Sequence, residues 1–164
     1  MFIGTILLMV LLNIVGLPLE TEAAPLGIIT YEFAGTVERA GEILNSWNHN
    51  AQLHAAFSLG LDFLFILLYS TTIGMACVWA GQVLARDRWP LVGVAVPLAW
   101  GLWLAAILDA VENFSLIKVL YGPIASPWPA VARICAMIKF GLVFIGLIYA
   151  FYGLVAYLAN RFMK

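Results

Sequence analysis

The feature that most constrains this chain is a set of four long apolar stretches, over about residues 1–17, 53–85, 90–116 and 131–159. A helix needs about 20 consecutive, mainly apolar residues to cross the hydrocarbon of a bilayer. Lipid offers no hydrogen-bond partner to backbone N–H and C=O groups, so segments of this length cross it as helices. We therefore predict an all-α integral membrane protein, with four transmembrane helices in a single domain over 1–164.

Composition supports this prediction and excludes other classes of protein. Hydrophobic residues make up 64% of the chain and charged residues 10%, whereas soluble domains have roughly 45–50% and about 25%. A net charge of −1 lacks the basic footprint that nucleic-acid binding requires. The expected partners are the lipid bilayer and a partner membrane subunit or a second copy of the chain, and no nucleic acid.

The positions of the basic residues predict the topology. Arg86 and Arg88 flank a short turn between two apolar stretches, and Arg161 and Lys164 close the chain. Short loops rich in Lys and Arg stay in the cytoplasm. With four spans, both termini are then cytoplasmic and the loop 18–52 lies outside. We expect the membrane to be the bacterial inner (plasma) membrane.

The first apolar stretch has a second interpretation as the core of a signal peptide. Thr21-Glu22-Ala23 would then be a cleavage site. However, no Lys or Arg precedes the stretch, as a signal peptide requires. An uncleaved helix is the favoured interpretation.

The outer loop 18–52 contains an amphipathic pattern that predicts a helix over about 31–47. Apolar residues recur there at helical spacing, namely Phe33, Val37, Gly41, Leu44 and Trp47. We expect this helix to lie across the mouth of the bundle or at the membrane interface, with Trp47 at the level of the lipid headgroups.

Charged residues inside spanning segments are costly and suggest function. Counting from the basic residues and Trp89 at the cytoplasmic side, Asp62, Asp109 and Lys139 lie at depths of roughly 36, 30 and 33 Å at 1.5 Å per residue. Three helices therefore carry charge at one level, near the outer edge of the hydrocarbon. Glu112 and Arg133 lie slightly further out.

Helical spacing groups the polar residues of this layer into faces. One face of the third span carries Asp109, Glu112 and Asn113, which are three and four residues apart. The second span carries polar residues at spacings of four and seven. The predicted polar layer consists of His54, Ser58, Asp62, Tyr69, Asp109, Glu112, Asn113, Arg133 and Lys139.

Two interpretations of this layer remain open, and both can hold together. In the first, ion pairs lock the helices together: Asp62 and Asp109 flank Lys139, and Glu112 pairs with Arg133. In the second, the layer lines a polar pocket that opens outward beneath the loop helix.

The residue pattern predicts neither a metal site nor another cofactor. Lys139 and Arg133 would repel a cation, and the Glu-x-x-His repeat of di-iron bundles does not occur. The leading functional hypothesis is a small polytopic membrane protein that binds or docks a partner protein, a lipid headgroup or a small polar ligand. The alternative is a membrane enzyme with Asp109 or Glu112 as acid/base and Lys139 as electrostatic stabiliser.

Overall fold

A computed structural model describes residues 1–86, 88–123 and 127–162. Throughout these ranges the regular structure is helical, and two short 3₁₀ turns accompany the α-helices at Leu17–Leu19 and Val92–Val94. The α-helices are α1 (Phe2–Gly16), α2 (Ile28–Glu32), α3 (Val37–Ser46), α4 (His49–Arg86), α5 (Ala95–Tyr121) and α6 (Trp128–Phe162). Lys164, which the predicted topology uses, lies outside the described residues.

Four helical segments are long and apolar enough to cross a membrane, as the sequence predicts. They are Phe2–Leu19, His49–Arg86, Val92–Tyr121 and Trp128–Phe162. The 38 residues of α4 extend about 57 Å at 1.5 Å per residue, and hydrocarbon is about 30 Å thick. α4 is therefore longer than the hydrocarbon is thick.

The arrangement is more than a four-helix bundle, because the described chain contains six α-helices. Two helices, α2 and α3, replace the single loop helix expected over 31–47. Gly35, with φ of +74°, interrupts the helix with a left-handed backbone that glycine adopts readily. Thr36 then caps α3, since its side chain accepts a hydrogen bond from Arg39 N, as N-cap residues do.

The segment 17–48 folds inward as a cap over the bundle. The Tyr31 hydroxyl donates a hydrogen bond to the Leu116 carbonyl of α5 over 3.1 Å, and the Tyr31 and Trp47 rings meet edge to face at 5.2 Å. Trp47 Nε1 donates to the Leu19 carbonyl at 2.9 Å. Trp47 is only 3% exposed, so its ring packs inside the protein, and its level relative to the lipid headgroups stays a prediction. The acceptor of its indole N–H, the Leu19 carbonyl, also lies inside the protein.

Helices α4, α5 and α6 pack on one another, and α1 packs mainly against α4. Large apolar side chains cover their outward surface; Trp100 and Phe144, for example, are 72% and 64% exposed. Asp109, Glu112 and Lys139 are buried inside. Helices that face lipid are expected to carry apolar groups on the outside and to keep their charges inside.

Candidate functional site

The site is built around the ammonium group of Lys139 on α6. Its Nζ donates hydrogen bonds to Asp109 Oδ1 at 2.7 Å and to Glu112 Oε1 at 3.0 Å, both on α5. Glu32 Oε2 on α2 lies 3.7 Å from the same nitrogen, within ion-pair distance. The four side chains are between 0% and 11% exposed. Three carboxyl groups from two helices thus surround one buried cation, which we call the Lys139 cluster.

Two neutral side chains orient the adjacent carboxylates. The Tyr69 hydroxyl on α4 donates to Asp109 Oδ2 at 2.9 Å, so both oxygens of Asp109 are hydrogen-bonded. Asn113 Nδ2 donates to Asp62 Oδ2 at 2.6 Å. Asp62 therefore lies beside the Lys139 cluster and is held by an amide rather than by the lysine.

Glu32 reaches the cluster because the cap brings α2 down onto the bundle. Gly27 and Gly35, with φ of +56° and +74°, bracket the segment that carries Glu32. A Cβ on Gly27 would lie 3.3 Å from Leu19 Cβ. Both glycines thus adopt a backbone that other residues rarely adopt, and they turn α2 so that its last residue points inward.

The cluster contains three carboxyl groups and one ammonium group, so its charges do not balance when all three carboxyls are ionised. Glu32 Oε2 and Glu112 Oε2 are buried without a hydrogen-bond partner. An unsatisfied buried acceptor costs about 1–3 kcal/mol, and more when it is charged. A proton or a bound cation nearby would satisfy these oxygen atoms.

The surroundings of Glu32 act on its protonation. Burial raises the pKa of the Glu32 carboxyl above its ordinary value, and the negative charge of Asp109 raises it further. The positive charge of Lys139 opposes the shift without cancelling it. Burial dominates because a carboxylate loses its hydration inside the protein.

A cleft of about 150 Å³ opens beside the Lys139 cluster, between α1, the cap, α4 and α5. Three acidic side chains line it: Glu20, Glu32 and Asp62. Polar and small groups complete the polar part of its wall, namely Asn13, Gly16, Gly27, Ser58 and Asn113. We call this the acidic cleft.

The predicted ion pair between Asp109 and Lys139 is confirmed, and the pair between Glu112 and Arg133 is wrong. Glu112 binds Lys139 instead, and Arg133 forms no ion pair with any residue that the structure describes. Arg133 is exposed and packs over Gly35, where an added Cβ would lie 2.9 Å from its Nη1. Six residues of helix turn Arg133 about 120° away from Lys139, so the two bases face different neighbours.

His54 and Ser58 lie nearer the N-terminal end of α4 than Asp62 and Tyr69 do. His54 Nδ1 is 3.1 Å from the Val15 carbonyl of α1, so this imidazole ties α4 to α1. Ser58 is buried and lines the acidic cleft. Of the nine residues of the predicted polar layer, His54 and Arg133 thus contact neither the Lys139 cluster nor the cleft.

Glu32 is the site residue that the sequence prediction missed. It is one of five glutamates in the first polar stretch, and the predicted polar layer does not include it. Its local sequence carries a signal, because Glu32 is a lone acid within the otherwise uncharged run from Ala23 to Ala34. A single carboxyl in such a run is a candidate for burial beside a base.

No protein family, curated protein sequence or solved structure matches this chain significantly. The geometry of the cluster and the cleft is therefore the basis for any functional proposal.

We predict that Lys139→Met and Asp109→Asn each destabilise the protein. Removal of one partner from a buried ion pair leaves an uncompensated charge and costs about 3–5 kcal/mol. Thermal unfolding in detergent should show both single variants melting well below wild type. The double variant should recover part of the loss.

Arg133→Gln is the matched control on the same helix, since Arg133 is exposed and outside the cluster. It should melt close to wild type. A double variant no more stable than the worse single variant would show that Lys139 and Asp109 do not act as partners.

Proposed function

We propose that this chain is an integral protein of the bacterial inner membrane that binds a small ligand carrying an ammonium group in the acidic cleft. Both termini lie in the cytoplasm, and the cap and the cleft face the outside. The bilayer is its first partner. The ligand is either a free amine or the amine headgroup of a lipid.

The observation that carries the proposal is the charge of the cleft. Glu20, Glu32 and Asp62 line it, and none of its lining residues is basic. Lys139, the base of the cluster, already donates hydrogen bonds to Asp109 and Glu112. A cationic group in the cleft would therefore meet carboxylates that lack a full complement of positive charge.

The size and chemistry of the cleft favour an organic cation. Its volume of about 150 Å³ matches that of an engineered cavity that accepts benzene. Among the described residues, no group of three or more His, Cys, Asp or Glu side chains is arranged to hold a metal ion. An ammonium group needs acceptors in several directions rather than a fixed coordination shell. The carboxyls, with the Ser58 hydroxyl and the Asn13 amide, offer such acceptors.

The enzymatic alternative places the chemistry on Asp109 or Glu112. Neither residue, nor Lys139, is among those that line the cleft, and both carboxyls bind the lysine directly. A ligand in the cleft would touch Glu32 and Asp62 first. This placement favours binding over acid/base catalysis as the function of the site.

We predict that Asp62→Asn weakens ammonium binding by about tenfold, because a hydrogen bond to a charged group contributes about 1.5–3 kcal/mol. Calorimetric titration of the purified protein with ethanolamine measures the effect. Ethylene glycol, which replaces the amine by a hydroxyl, should bind far more weakly to wild type.

Glu22→Gln provides the control, since Glu22 is an exposed acid of the same loop and is not among the lining residues. Its affinity should equal that of wild type. Vesicles containing phosphatidylethanolamine distinguish a lipid headgroup from a free amine as the ligand. Equal binding of ethanolamine and ethylene glycol by wild type would rule out the ammonium site.

We predict that ammonium affinity rises with pH. Burial raises the pKa of Glu32, so its carboxyl keeps a proton to a higher pH than an exposed glutamate does, and a cation prefers the ionised form. Affinity should increase as the pH passes upward through that raised pKa, and below it binding should release a proton. Lys139, Asp109 and Glu112 act on the same carboxyl, while Asp62 and Glu20 line the cleft beside it.

Titrations in buffers of different ionisation enthalpy measure both the affinity and the released proton. Glu32→Gln should flatten the pH profile, whereas Glu22→Gln should leave it unchanged. The same slope in wild type and Glu32→Gln would assign the titration to another group.

The proposed topology predicts the behaviour of reporter fusions. Green fluorescent protein fused after Arg88 or Phe162 should fluoresce, because both positions are cytoplasmic. Alkaline phosphatase fused after Pro25 or Pro123 should be active, because both positions are outside. Fluorescence from a fusion after Pro25 would reverse the orientation of the cleft.

A further inference from the structure

A second cleft, of about 530 Å³, lies at the opposite end of the bundle, where α4 and α6 end. Arg86 stands in the last turn of α4 and Arg161 in the last turn of α6, and both line this cleft. Neither forms an ion pair with a residue that the structure describes. Gln82 and Asn160 add amide groups to its wall.

Aromatic side chains mark the boundary of this cleft. Trp79 and Tyr157 line it, lie 5.8 Å apart between ring centroids and are about 40% exposed. Trp and Tyr concentrate where hydrocarbon meets water. The two arginines follow them toward the helix ends, at the level expected for lipid phosphates.

An apolar groove continues from the same place along the bundle surface. Trp79 lines both the cleft and this groove of about 510 Å³, which is formed by α4, α6 and Phe2 of α1. The groove is lined further along by Ile73, Leu147, Ala150, Phe151 and Leu154. A basic cleft and an apolar groove thus share one wall.

We propose that the two features together bind one anionic phospholipid. Arg86 and Arg161 bind its phosphate, since guanidinium groups match phosphate oxygens in geometry and charge. One acyl chain lies in the groove. Basic pockets between transmembrane helices on the cytoplasmic side bind such headgroups; the assignment rests on the proposed topology and not on the ligand of the acidic cleft.

The groove that adjoins the cleft at Trp79 favours a lipid over free phosphate. Two arginines would serve either occupant. The apolar groove contributes binding energy only to a molecule that carries a hydrocarbon chain. The net charge of the arginine pair favours phosphatidylglycerol over phosphatidylcholine, whose headgroup is neutral overall.

Native mass spectrometry of the full chain in detergent tests the proposal. Phosphatidylglycerol is titrated against wild type, the double variant Arg86→Gln with Arg161→Gln, and Arg133→Gln as an arginine control at the other end. Wild type should bind phosphatidylglycerol more tightly than phosphatidylcholine, and the double variant should lose about tenfold or more of this affinity. Arg133→Gln should bind as wild type does.

Ala150→Phe tests the groove separately, because the added ring occupies the space of the acyl chain. It should weaken phosphatidylglycerol binding while both arginines remain. Unchanged binding by the double arginine variant, or an equal loss in Arg133→Gln, would overturn the site. Displacement of the lipid by inorganic phosphate at similar concentration would also overturn it, in favour of a free-phosphate site.

Discussion

The ammonium group of Lys139, buried between helices, is the interaction on which the arrangement of this protein depends. A charge at this depth requires partners, since lipid and apolar side chains cannot solvate it. Asp109 and Glu112 provide two of them from α5. Glu32 approaches from the cap, so the same cation connects the bundle to the segment that covers its mouth. The inward fold of that segment follows from this requirement together with the burial of Tyr31 and Trp47.

Depth along a helix could be predicted from the sequence, whereas the direction of a side chain around it was harder to predict. The constant rise of a helix allowed Asp109 and Lys139 to be placed at one level, and they are hydrogen-bonded. The same count placed Glu112 near Arg133, and the rotation of 100° per residue indicated that Arg133 faces away from Lys139, but neither could show which base Glu112 contacts. Asp62 lies at the expected level, yet its partner is Asn113, because a neighbour on α5 is nearer than the lysine.

The cap was harder to predict for a different physical reason. Helical periodicity indicated one amphipathic helix, but a glycine at positive φ divides it and directs each part separately. Loop residues have no fixed rise per residue, so the depth of Glu32 could not be counted. The burial of Trp47 was missed because the acceptor of its indole N–H, the Leu19 carbonyl, is distant in sequence.

Glu32 belongs to both parts of the candidate site, since it pairs with Lys139 and lines the acidic cleft. Asp109 and Glu112 contact the lysine without lining the cleft, and Asp62 lines the cleft without contacting the lysine. The charge of Glu32 therefore acts on both the Lys139 cluster and the acidic cleft. A proton on this carboxyl removes one negative charge from the crowded cluster and one attraction for a cation in the cleft. An ammonium group bound in the acidic cleft would attract the ionised Glu32 carboxylate and so favour loss of that proton. In the proposed function, ligand binding and proton release would thus be coupled through Glu32, whose position is set by the glycine-bracketed turn that brings α2 onto the bundle.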